Sequence, residues 1–264
     1  SMSPATIGDL FAKEVSRPIE GVIKADDTEH LATEIDEYVL TGETAAALSD
    51  FLEAYTAPVY GGGNGVWISG FFGSGKSHLL KMLAHLLGDV PGSTSERRYA
   101  SEAFSAKAEG DSMLGGLLAR TARIPATSLL FNIDQKAPLI DKNQTDALLQ
   151  VFVKVFNEAR GYYAGEPSVA RFERDLDRRG LLEAFTTAFA DAAGVPWEQG
   201  REEGILQEDN VTKAWSRVTG EAGTENILAR YEAQYSLSIE DFADEVAQWL
   251  ATQSADHRLL FLVD

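Results

Sequence analysis

A mixed α/β fold is what this sequence predicts: a parallel sheet with a helical lead-in and a large helical insertion. Three observations predict it. Two apolar runs, Ser128–Asp134 and Leu259–Asp264, are continuous rather than alternating, the pattern of strands covered on both faces. Between them, from Thr145 to Gln253, apolar residues recur only at helical spacing. A third strand, Gly65–Ser69, runs into a glycine-rich turn and then an amphipathic helix.

Taken in order, Ile7, Leu10, Phe11 and Val15 space a first helix over Thr6–Val15, which Pro18 ends. Gly21–Ala25 reads as a short strand or an extended linker. Asp27 and Thr28 supply helix-start chemistry for Glu29–Leu40, and Gly42 separates that helix from one over Glu43–Tyr55. After Gly61-Gly62-Gly63 comes the strand, and Lys76–Leu87 follows with Leu79, Leu80, Met82, Leu83, Leu86 and Leu87 at helical spacing, closed by Gly88 and Pro91. Ser101–Arg123 is one helical zone weakened by its glycines. Further helices are expected over Thr145–Ala159, Ser168–Asp177, Leu181–Ala193, Glu208–Val218, Thr224–Tyr235 and Ser238–Thr252. Arg171, Arg174, Arg178 and Arg179, interleaved with Glu173, Asp175 and Asp177, read as a solvated face with i,i+4 pairs. The expected division is 1–56, a mostly helical lead-in; 57–141, the first part of the sheet core; 142–256, the helical insertion; and 257–264, a returning strand.

The bulk numbers narrow the class. The net charge is −18 over 264 residues, a surface that repels phosphate backbones, so direct nucleic-acid binding is disfavoured. Cysteine is absent, which excludes a disulfide framework and a thiolate zinc site. No apolar run approaches the roughly 20 residues that cross a bilayer, and the first residues show no basic start followed by an apolar stretch, so no signal peptide, a cytoplasmic location and no membrane partner are expected.

The chemistry is carried by Gly70-Phe71-Phe72-Gly73-Ser74-Gly75-Lys76-Ser77, which matches G-x-x-x-x-G-K-[ST] at every required position. Glycines allow successive backbone N–H groups to point at phosphate oxygens. Lys76 supplies a positive charge for the β- and γ-phosphates, and Ser77 a hydroxyl for Mg²⁺. The motif stands between a strand and a helix, as a phosphate-binding loop requires. ATP or ADP with Mg²⁺ is therefore the expected cofactor. Asp264, ending an apolar strand, is the candidate Walker B carboxylate and second Mg²⁺ contact. Asp134 ends a similar strand and competes for that role, with a strand-end turn as its favoured reading. Asp134 or Asn132 is also a candidate polar group near the γ-phosphate. Arg17, before Pro18, is a candidate for the adenine end, with a structural turn favoured. The four histidines lack ligand partners at metal-binding spacing. Trp197, Trp215 and Trp249 read as core.

Several blocks resemble one family. Leu10–Ile19 and Gly21–Asp26, the motif segment Gly65–Ser77, Phe131–Asp134, Ser238–Phe242 and His257–Asp264 are similar to BrxC, the large P-loop ATPases of bacterial bacteriophage-exclusion (BREX) defence systems. The matching blocks span the chain, more weakly over 161–232. The resemblance implies an AAA+-like (ASCE-like) P-loop NTPase core at the N-terminus of a longer, cytoplasmic protein. It implies a partnership with other BREX proteins, including a methyltransferase and a phosphatase-like protein, and an oligomer of the full-length protein. Nucleotide binding and hydrolysis would then drive or switch a defence complex; the alternative is a non-hydrolysing scaffold that nucleotide stabilises. ATPases with a strand between the Walker A and Walker B strands usually carry a Glu after the Walker B Asp. The sequence stops at Asp264, so no catalytic residue is assigned, and a polypeptide that binds nucleotide but turns it over poorly is expected.

Overall fold

The computed structural model describes residues 21–22, 35, 40, 42–57, 65–70, 77–93, 96–132 and 143–263. Two compact units emerge. One takes the residues up to Leu149 and those from Ser238 onward, and the other is Gln150–Leu237. The expected insertion, 142–256, is wider than this second unit at both ends.

The first unit is built on a sheet of four strands: β1 (Gly21–Val22), β2 (Val66–Gly70), β3 (Ala126–Asn132) and β4 (Arg258–Val263). Their order is β1-β3-β4-β2. β4 pairs parallel to both neighbours, and β1 pairs antiparallel to β3. Leu259 to Val263 are all buried, because both faces of β4 are covered. On one face, Trp67, Leu130, Leu260 and Leu262 join the core of four helices, α1 (Gly42–Thr56), α2 (Ser77–Leu87), α3 (Glu96–Lys107) and α4 (Ser112–Ala122). On the other, Phe261 meets Phe242 of α11 (Ile239–Ala251), with ring centroids 6.2 Å apart. That contact explains why α11 belongs to the sheet unit and not to the insertion. Ser238 caps α11, accepting from Asp241 N at 3.0 Å, as its sequence start suggests.

The single helical zone expected over Ser101–Arg123 is in fact two helices. Gly110 sits at φ +95°, where a side chain would be strained, and Asp111 then restarts the chain by accepting from Leu114 N at 3.1 Å. The helices expected over Thr6–Val15 and Glu29–Leu40 lie outside the described residues, apart from Ile35, which is helical and buried, and Leu40.

The second unit is helical. Its elements are the later part of α5 (Asn143–Ala159), α6 (Pro167–Arg178), α7 (Leu182–Ala193), α8 (Trp197–Gly200), α9 (Glu208–Thr219) and α10 (Ile227–Gln234), with a 3₁₀ turn at Gly204–Gln207. Phe172, Phe185, Phe189 and Trp197 form an aromatic cluster with centroids about 5–6 Å apart, near-perpendicular where closest. Trp197 and Trp215 are core, as expected, whereas Trp249 is half-buried, edge-on to His257. The solvated reading of α6 is corrected in part. Glu173 is 2% exposed, and its carboxylate accepts from Tyr163 N, Trp197 Nε1 and Arg201 Nη1 at 2.7, 2.9 and 2.9 Å. Three donors make an interior carboxylate tolerable. Among the described residues, no helix is long and apolar enough to cross a membrane.

Candidate functional site

The three parallel strands leave the sheet at one level. Gly70 pairs with Val263, and Val263 with Phe131, so the last residues of β2 and β4 and the end of β3 form one row. In open α/β sheets ligands bind outside this carboxyl edge, where connections diverge. Here they do diverge: β2 leads through α2 to β3, and the chain returns to place β4 between them.

The helix after β2 is oriented by its far end. Just past α2, Asp89 bridges to β3: its N–H donates to Ala126 O at 2.9 Å, and its carbonyl accepts from Ser128 N at 2.9 Å. That fixes the C-terminus of α2 at the amino edge. Eleven residues at about 1.5 Å each span about 16 Å, close to the about 20 Å of β4. The helix therefore runs back across the sheet, and its N-terminal, positive end stands at the carboxyl edge. Gly88 makes this junction possible. A Cβ there would meet Ser128 Oγ at 2.8 Å and Ala126 O at 2.9 Å. The sequence suggested a helix-closing glycine; the structural reason is this close approach, not a left-handed cap, since Gly88 has no positive φ.

Arg97 completes the anchor. One Nη donates to Leu87 O, Thr121 O and Ile124 O at 3.1, 3.1 and 2.6 Å, tying the ends of α2 and α4 together. Burial lowers its pKa, partly offset by Asp89. At the same edge Arg258 Nη1 donates to Tyr55 O and lies over the rings of Tyr55 and Trp67, 4.5 and 4.9 Å from their centroids. Burial pushes the Tyr55 hydroxyl pKa up. His257 Nε2 sits 2.9 Å from Thr127 Oγ1, and burial lowers its pKa. None of these roles of Arg97 and Arg258 was visible in the sequence, because their partners lie up to 203 positions away in the chain.

Of the expected phosphate-loop residues, Gly70 closes β2 and Ser77 opens α2. Phe71, Phe72, Gly73, Ser74, Gly75 and Lys76 lie outside the described residues, as do Asp264, Asp134 and Arg17. Asn132 ends β3, in the row next to Phe131. Among the described residues β4 pairs directly with β2. Buried Ser69, just before Gly70, has no hydrogen-bond partner for its Oγ among the described residues. Of the histidines, His85 is core at 2% exposure, and no described group of acids and histidines could hold a metal.

The donor set of segment 70–77 fits a polyphosphate chemically. It offers backbone amides, one ammonium and two hydroxyls, with no carboxylate among its side chains. No family model matches the chain, and no solved structure matches it.

Proposed function

We propose that this chain is the nucleotide-binding part of a P-loop ATPase. One observation carries the reading: a strand ending at Gly70 and a helix starting at Ser77 flank the complete motif, with the helix's positive end at the carboxyl edge of a parallel sheet. Amides of 70–77 and the Lys76 ammonium would hold the phosphates. Ser77 and Asp264 would hold Mg²⁺, which supplies charge neutralisation between the phosphates when bound. We further propose, on the resemblance above, that the ATPase works in the cytoplasm as part of a BREX-type phage-exclusion complex with other proteins of that system. The mixed α/β fold with its parallel β2, β4 and β3 is compatible with this reading, and the P-loop, AAA+-like (ASCE-like) assignment is part of the proposal.

The helical unit, with a core of its own, favours one second reading: a scaffold that nucleotide stabilises without turnover. Thermal melting with Mg²⁺-ATP or Mg²⁺-ADP tests the shared premise. At nucleotide a hundredfold above Kd, binding to the native state adds about 2.7 kcal/mol of stability. Wild type should melt several degrees higher with nucleotide, and Lys76→Ala should not. Equal shifts in both proteins, or none in either, would overturn the nucleotide reading. Turnover by the full-length protein that Lys76→Ala abolishes selects the motor; stabilisation without turnover selects the scaffold.

A further inference from the structure

Two serine hydroxyls of the sheet are buried without a hydrogen-bond partner among the described residues: Ser69 of β2, 3% exposed, and Ser128 of β3, 0% exposed. A hydroxyl that has given up water and gained no partner is costly, and an alanine in its place would avoid the cost.

The register puts both on one face. Ser69 pairs with Leu262, and Leu262 with Leu130; Ser128 pairs with Leu260, and Leu260 with Trp67. Residues paired across adjacent parallel strands share a face. Trp67, Leu130, Leu260 and Leu262 all pack into the core that holds α1 to α4, so both hydroxyls lie on the face that α2 crosses. Ser128 is explained by packing. Gly88 comes so near that a Cβ there would stand 2.8 Å from Ser128 Oγ, which leaves room for a small side chain only. That account does not reach Ser69, which lies two strands away and two positions nearer the carboxyl edge. Ser69 is the last residue but one of β2 and immediately precedes Gly70, where the motif begins. Its row is otherwise apolar, and it stands on the α2 side of the sheet at the edge where the positive end of that helix lies.

We propose that Ser69 is a positioning residue of the phosphate site: its hydroxyl gains its partner, a backbone group of segment 70–77, when polyphosphate is bound. The proposal rests on the nucleotide reading above. A hydroxyl suits the task because it can donate or accept. It is carried on a strand that β4 holds in register over five residues, so it ties the phosphate-binding segment to a rigid reference. The cost of the lone hydroxyl is borne by the free protein and relieved on binding, and a difference of this kind between the two states adds to affinity.

Calorimetric titration of the whole chain with Mg²⁺-ADP, beside thermal melting without nucleotide, tests it. Ser69→Ala should bind about fivefold to tenfold more weakly than wild type, the worth of about one hydrogen bond. It should melt no lower than wild type without nucleotide, since it removes a buried hydroxyl that has no partner in the free protein. Ser69→Thr keeps the hydroxyl and should recover most of the affinity. Ser128→Ala, the matched control, should bind as wild type does. Unchanged affinity in Ser69→Ala, with wild-type binding that Lys76→Ala abolishes, overturns the role of Ser69 and leaves the nucleotide reading standing. A Ser69→Ala protein that melts lower without nucleotide overturns it too, because the hydroxyl would then be holding the fold. An equal loss of affinity in Ser128→Ala overturns it by making the effect one of core packing, and a Ser69→Thr protein that melts like wild type yet binds like Ser69→Ala overturns it by removing the hydroxyl as the cause. A wild type that does not bind Mg²⁺-ADP overturns both readings together.

Discussion

The two edges of the sheet are built on opposite plans. At the amino edge the chain is clamped: Arg97 binds three carbonyls, Arg258 stacks on Tyr55 and Trp67, Asp89 bridges to β3, and Gly88 lets α2 press against it. At the carboxyl edge the strands end in a row beside the start of α2, and the candidate chemistry lies in the glycine-rich segment leaving that row. The difference teaches a division of labour. The position of the positive helix end is set about 16 Å away, at the end where rigidity costs function nothing. Residues that hold the fold and residues that would meet phosphate can then change independently.

Substitutions at the two edges should separate accordingly. The largest effect belongs to Arg97→Met, which strips three carbonyls of a charged donor; urea unfolding should show a loss of about 2–3 kcal/mol. A loss below about 0.5 kcal/mol would erase the contrast. Gly88→Ala should cost about 1–3 kcal/mol, since its Cβ meets backbone that cannot yield cheaply. An unchanged unfolding midpoint would mean that α2 is not pinned there. Lys76→Ala should change stability without nucleotide by less than about 0.5 kcal/mol, because the role proposed for Lys76 is to hold phosphate and not the fold. The smallest effect is a pH response at His257. Burial lowers its folded pKa below the ordinary 6.5, so the unfolded chain takes up the proton first as pH falls. The stability held above pH 6.5 should therefore decline slightly below it, and His257→Gln should flatten that slope. A gain in stability on acidification that depends on His257 would contradict the assignment.

Much of this architecture was legible in the sequence because its signals are local. The buried strand pattern, the helix periodicity and the Ser238 cap need only neighbouring residues, and they located β3, β4 and α11 to within a few positions. The motif 70–77 was legible for the same reason. What was not legible depends on distance. Glu173 reads as a surface acid among arginines until Trp197, Arg201 and Tyr163 fold around it. The exposed Ile205–Leu206 pair reads as two ordinary apolar residues until the unit's core forms without them. Strand order was likewise hidden, because pairing of β4 with β2 joins residues almost two hundred positions apart and leaves no local trace.

Hydrogen exchange across the chain, with and without Mg²⁺-ADP, tests the central claim most directly. The account predicts slower exchange in peptides spanning residues 66–80, with the amino-edge peptides around 86–98 and 124–129 unchanged beyond the general gain in stability. Slowing centred on the amino edge, or unchanged exchange through 66–80 at saturating nucleotide, would contradict it.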